Sequence, residues 1–378
     1  MTETRRDWLA WTGKIALVAA AGAVAAAIAA ALNLAPAEDQ APAGGGRAPL
    51  RTAFGHPDLQ GVWALQTLTP LERPEEFAGR ATLTEEEAAR IEEEAARNRW
   101  TEGTLEDHVA ARRMEAAGEI PSTSDSTAAA ASIAIGGFNQ IWYERGTEVT
   151  RTRQTSLVID PPDGRIPPLT PHGEQMRRDL LAAMEIPAGP EDRALPERCI
   201  IGSRQGPPML PGGYNRNIQI FQTPDHVVIH QEMIHEARFI ALDGRPHPPF
   251  RQWRGTSRGY WDGDTLVVET RNFIGRGAVG FMLPIGNPDE NMEVVERFTR
   301  VDDTAIRYEA TANDPTIWTR PWTISYDMTK KEGMEGMLFE FACHEGNAGA
   351  GGAPPTMINM LVTARERDRT AAVRAPQQ

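Results

Sequence analysis

Two cysteines stand in 378 residues, too few for a disulfide-dense small domain or a four-cysteine zinc site. Basic residues are also in short supply. With 39 Lys+Arg against 52 Asp+Glu, the formal net charge is −13, which leaves no footprint for phosphate and excludes nucleic acid as the expected partner. Histidine occurs only eight times. Beyond Leu34 no apolar run approaches the roughly 20 residues that a membrane-spanning helix requires. Glycine and proline, by contrast, are plentiful at 34 and 29 residues, above the usual share of roughly 12%. That surplus implies many turns and short elements. The hydrophobic share of 40% and the charged share of 24% are those of a globular chain.

The first 37 residues read as a targeting segment and stand apart from the fold. Arg5-Arg6 precede an alanine-rich apolar stretch from Ile15 to about Leu34, and Ala35-Pro36-Ala37 offers small residues for cleavage. Paired arginines ahead of a weakly hydrophobic run have the form of a Tat export signal, with Trp8 where Phe is usual. Cleavage is the expectation, because alanine contributes little to insertion; a retained inner-membrane anchor is the alternative, and the membrane contact would then be confined to residues 1–37. Either way the remainder is expected in the periplasm or otherwise exported. Residues 38–52, with Pro42, Gly44, Gly45, Gly46 and Pro49, read as a linker.

Residues 53–378 read as one β-rich domain with a helical excursion at about 84–118. Thr84-Glu85-Glu86-Glu87 is a capping box that opens a helix to about Asn98. The run of glutamates on it reads as a solvated face. A second helix is expected over 105–117 and a C-terminal one from about Pro355 to Arg369. From Phe138 the apolar period is two, giving strands over 139–144, 150–160, 217–223, 226–233, 237–242, 265–272, 292–301, 305–312, 322–328 and 338–343. Pro224-Asp225, Asp243-Gly244, Asp262-Gly263 and Asp302-Asp303 are the turns between them. Strands at this spacing, with few helices between, predict a mainly β fold: an antiparallel meander closing as a barrel or sandwich. Gly61-Val62-Trp63 is similar to the first strand of lipocalin-like barrels, whose Trp plugs the floor.

In an exported chain Cys199 and Cys343 are expected to form a disulfide; the alternative is a reactive thiol at Cys343 beside His344. Gly255-Thr256-Ser257-Arg258-Gly259 reads as a turn flanked by Trp253, Tyr260 and Trp261; it matches a nucleophile-elbow string, but a hairpin and a strand follow it where the elbow needs a helix. Gly275-Arg276-Gly277-Ala278-Val279-Gly280 matches a dinucleotide fingerprint with no helix after it, and reads as a glycine loop.

The densest chemistry lies in residues 226–247, which carry His226, His230, Glu232, His235, Glu236, Arg238 and His247. On an unbroken strand His230, Glu232, Glu236 and Arg238 share one face and His235 takes the other. A bulge between Glu232 and His235 would bring the histidines together. Three readings compete: a wet strand face with Glu232 paired to Arg238; an acid–base set of His230, Glu232, His235 and Arg238 inside a barrel; and a metal site of His230, Glu232 and a distant His344 or Glu345. Tyr214, Asn215, Asn217 and Trp253, with His344 and Glu345 at the end of the last strand, are candidate ligand contacts at a barrel mouth.

Several strings resemble a widespread family of exported, largely uncharacterised bacterial β-rich proteins. They are Leu59-Gln60-Gly61-Val62-Trp63, the run from Thr155 to Thr170, Glu232 to Arg238, Trp261 to Thr270, and Ala342 to Asn347. The resemblance implies one exported β domain over most of residues 55–347 and directs attention to His235, Arg238 and His344. The expected function is binding of a small apolar or aromatic molecule in the barrel. A hydrolase or lyase using the His/Glu/Arg set is the alternative, and an anchored envelope scaffold subunit the third reading. No cofactor follows from the sequence.

Overall fold

The computed structural model describes residues 50–98, 146–185, 192, 195–196, 198–202, 204–212, 215–275, 290–332 and 336–343. Ten strands form one sheet: β1 (Gly61–Ala64), β2 (Val158–Asp160), β3 (Ile218–Gln222), β4 (His226–Gln231), β5 (Ala237–Ala241), β6 (Thr256–Asp262), β7 (Thr265–Arg271), β8 (Glu293–Asp302), β9 (Ala305–Asn313) and β10 (Trp322–Lys331). The order is β1-β3-β4-β5-β6-β7-β8-β9-β10, and pairing of β1 with β10 closes these nine into a barrel. β2 pairs with the first residues of β10, while β1 takes its last ones.

Nine strands cannot alternate direction all the way round a closed ring, so one neighbouring pair must be parallel. That seam is β5–β6, joined at Ala241↔Arg258. Residues 242–255 accordingly cross from one end of the barrel to the other. Every other pairing round the ring is antiparallel.

Period-two burial gives each strand an inner row. On β8 it is Val294, Glu296, Phe298 and Arg300; on β9 Ile306, Tyr308, Ala310 and Ala312; on β10 Trp322, Ile324, Tyr326 and Met328. Ile220, Ile229, Ile240, Leu266 and Val268 complete an apolar core.

One end is sealed. Gly61 has φ +129°, a conformation side-chain-bearing residues rarely adopt, and it delivers Trp63 to a fully buried position. The Trp63 indole donates to the Leu59 carbonyl at 2.9 Å, and the Arg300 guanidinium lies 4.8 Å from its ring centroid. Arg300 also donates to the carbonyls of Asp58, Asp302 and Asp303. The turns at 223–225, 263–264 and 303–304 all lie at this floor, whereas β1, β4, β7 and β9 end at the opposite end.

Two described helices pack outside the barrel. α1 (Glu85–Asn98) starts as expected, with Thr84 Oγ1 accepting the Glu87 N–H at 3.2 Å and Glu87 Oε2 accepting the Thr84 N–H at 2.9 Å. It joins Leu83, Ala88 and Val149 to Leu68, Phe77 and Ile91 in a small satellite core. α2 (Pro171–Glu185) is not anticipated by apolar periodicity, yet Thr170 caps it (Gly173 N–H to Oγ1, 3.0 Å) and Pro171 takes the first helical position.

Three further expectations need correction. The strand placed over 150–160 is only Val158–Asp160, because residues 150–157 run as a loop whose side chains and amides bond to the 69–82 segment. The segment 338–343 makes no ladder and is not a strand. Residues 256–262 form a full strand, so Ser257 is not in a turn. The expected elements at 105–117, 139–144 and 355–369, together with residues 1–37, lie outside the described residues.

Candidate functional site

Opposite the floor, the inner surface turns polar. On β5, Arg238 lies directly across from Ile229 and so points inward. Its guanidinium forks onto Glu296 of β8 at 2.8 and 3.1 Å, with both side chains at or near full burial. Tyr308 Oη donates to Glu296 Oε1 at 2.8 Å and accepts the Met209 N–H at 2.8 Å. Tyr326 Oη donates to the Met209 carbonyl at 3.1 Å. Burial, with the Glu296 charge beside them, pushes both phenols well above their ordinary range, so both remain hydrogen-bond donors.

Met209 belongs to an inserted plug, residues 205–212, in which Met209 and Leu210 are buried. Gly206 turns it at φ +71°, where a Cβ would lie 2.4 Å from the Pro208 carbonyl carbon. The plug is therefore held by its main chain, and the strand-borne tyrosines hold it. Gln231 Nε2 donates to the Gln205 carbonyl at 2.6 Å. Arg254 Nη2 donates to Gln231 Oε1 at 2.5 Å, and Arg254 also pairs with Glu236. Burial lowers Arg254 to about 10 and raises Glu236, the attraction between them working against both shifts. The approach to the plug is tied by the Cys199–Cys343 disulfide, as expected.

The four residues read as an acid–base set do not share one pocket. A 3-10 turn, Met233–His235, interrupts the chain, with Ile234 at φ +66° and His235 at φ +54°. In the β4–β5 hairpin His230 pairs with Ala237, so an even-numbered residue of β4 shares a face with an odd-numbered residue of β5. The parity assumed for an unbroken strand is reversed: Arg238 enters the lumen and His230 faces outward. The turn does bring the histidines together, with ring centroids 6.0 Å apart. His235 Nε2 accepts the Phe341 N–H at 2.7 Å, which fixes Nδ1 as the protonated nitrogen of the neutral ring. Burial, then the neighbouring His235, lowers His230. Glu232 sits buried at the rim and accepts N–H bonds from Asn217 (3.4 Å) and Phe339 (3.3 Å). It is not the partner of Arg238. Among the described residues no group of three His, Cys, Asp or Glu is placed to hold a metal ion.

Of the candidate ligand contacts, Asn217 is buried at the rim beside Glu232. Asn215 is buried in a left-handed conformation, and its carbonyl lies 3.5 Å from Gln205 Nε2. Trp253 is half-buried beneath the Arg198 guanidinium at 5.8 Å. Tyr214, His344 and Glu345 lie outside the described residues. Ser257 points inward and bonds Thr270 Oγ1 at 2.9 Å, so the elbow string is ordinary strand.

Comparison with known proteins adds no family or fold. No protein-family model, curated protein or solved structure matches this chain. Among the described residues no helix is long and apolar enough to cross a membrane.

The residues missed from the sequence are Glu296, Tyr308, Tyr326, Arg254, Gln231 and Gln205. A signal existed for the first: Glu296 stands between Val294 and Phe298 on the apolar face of its strand, and a carboxylate there needs a buried partner.

Proposed function

We propose that this chain is an exported β-barrel protein that binds a small apolar or aromatic molecule at the loop-bearing end of the barrel. The observation that carries the reading is the asymmetry between the ends. Tight turns, Trp63 and Arg300 seal the floor, while the other end gathers the plug, Asn217, Trp253 and the polar inner groups. Rigid strands presenting irregular loops at one end are the usual setting of a ligand site, and the half-buried Trp253 offers an aromatic contact there. The disulfide supports export, since such bonds persist in oxidising compartments. The Gly-x-Trp floor supports the likeness to lipocalin-like barrels.

A hydrolase or lyase built on His230, Glu232, His235 and Arg238 ranks second, because only Arg238 of the four enters the lumen. The envelope scaffold ranks third and rests on residues 1–37 remaining attached.

The test is a thermal-shift panel of aromatic and alkyl molecules on the secreted protein and on Trp253→Ala. Saturable stabilisation by some members, weakened at least tenfold in affinity by the substitution, supports the proposal. Absence of any saturable binder, or binding indifferent to Trp253→Ala, overturns it.

A further inference from the structure

The outer wall of β3–β5 carries an apolar row. Register places Phe221, Val228 and Phe239 directly across from one another on three adjacent strands, all facing outward. Phe221 is 45% exposed and Phe239 66%. The adjoining row, Gln219, His230 and Ala237, is not left bare. His235 lies against His230 there, and the chain reaches it by the Phe341 N–H on His235 and the Phe339 N–H on Glu232. The Cys199–Cys343 bond then fixes the chain just beyond.

We propose that residues 355–369 of this same chain cover the Phe221–Val228–Phe239 row. The rows are two residues apart along each strand, about 7 Å, and the described chain meets the adjoining row at Phe341, through His235 beside His230. Eleven residues stand between Cys343 and Pro355, a reach of at most about 40 Å, which is ample. The segment itself carries Met357, Ile358, Leu361 and Val362, a stripe one and a half helical turns long at i, i+1, i+4, i+5. Such a stripe is roughly 8 Å long. The row it would cover spans two inter-strand spacings, about 10 Å. Arg365, Arg367 and Arg369 follow the stripe in sequence and do not interrupt it.

Size selects this occupant over a second copy. Two partly exposed phenylalanines offer on the order of 250 Å², whereas a stable association between separate chains needs about 800 Å² from each partner. A contact this small holds only when tethering raises its effective concentration to the millimolar range.

The test uses the full chain carrying p-benzoylphenylalanine at position 239, irradiated and digested, together with hydrogen exchange on wild type and on Phe221→Ser/Phe239→Ser. A cross-link from position 239 to a peptide within 355–369 of a monomer is expected. Exchange at 357–362 should be at least tenfold slower in wild type than in the double variant, while β3–β5 amides stay protected in both. Cross-links between two copies, no cross-link, or unprotected 357–362 amides in wild type would overturn the proposal.

Discussion

Replacing Glu296 with glutamine strands the Arg238 guanidinium in the barrel lumen. Both members of the pair are buried, at 5% and 0% side-chain exposure, so water cannot solvate what is left. Removing one partner of such a pair costs roughly 3–5 kcal/mol. In a domain of this size each kcal/mol moves Tm by about 2–4 °C, so Glu296→Gln should melt roughly 6–20 °C below wild type. The double variant Arg238→Met/Glu296→Leu removes both charges, and its remaining cost is the unsatisfied Tyr308 hydroxyl proton, about 1–3 kcal/mol. The double variant should therefore be more stable than either single one. Equilibrium urea unfolding of wild type, Arg238→Met, Glu296→Leu and the double variant, with the disulfide intact, measures the cycle. A loss below about 1 kcal/mol in Glu296→Gln, or strict additivity in the double variant, would refute the buried-pair account.

Opening the Cys199–Cys343 bond, which spans 144 residues, should cost about 5 kcal/mol in the chain-entropy model; a Tm unchanged by reductant would show that the link constrains nothing. Arg300→Met leaves the carbonyls of Asp58, Asp302 and Asp303 without their donor and should cost at least about 2 kcal/mol, read by thermal unfolding, with a neutral result contradicting a closed floor. Burial lowers both His230 and His247, so the unfolded chain binds more protons below about pH 6.5. Their contribution is a loss of stability as pH falls from about 6.5 through the lowered native values. Glu236 is raised and opposes this, because its native form takes up the proton first. Unfolding from pH 7 to 5 should show a slope that His230→Gln/His247→Gln flattens and Glu236→Gln steepens; a slope indifferent to all three would refute it.

Most of the wall was legible because a barrel strand buries alternate residues, and that alternation survives in sequence from Ile218 onward. The turn dipeptides were legible for a related reason: Pro224-Asp225, Asp262-Gly263 and Asp302-Asp303 are local chemistry, and all fell at the floor. The site was read less well. Which face Arg238 takes depends on the pairing of His230 with Ala237, a property of the hairpin and not of the string. The plug was invisible for the same reason, since Met209 is held through main-chain groups that carry no side-chain signature. Strand β6 was obscured by Gly255, Ser257 and Gly259, residues that read as a turn. Gly259 lies instead under Ile240 and Leu242, where a Cβ would meet both at 2.8 Å.

The central proposal is that the loop-bearing end of the barrel holds a small apolar or aromatic molecule. Native mass spectrometry of the full chain, expressed with its own first 37 residues and recovered without denaturation, tests it most directly. The account predicts a mass excess that disappears on denaturation, is recovered as an apolar or aromatic compound, and is lost in Trp253→Ala. A protein that flies at its bare chain mass, and stays there after incubation with an envelope lipid and small-molecule extract, would contradict it.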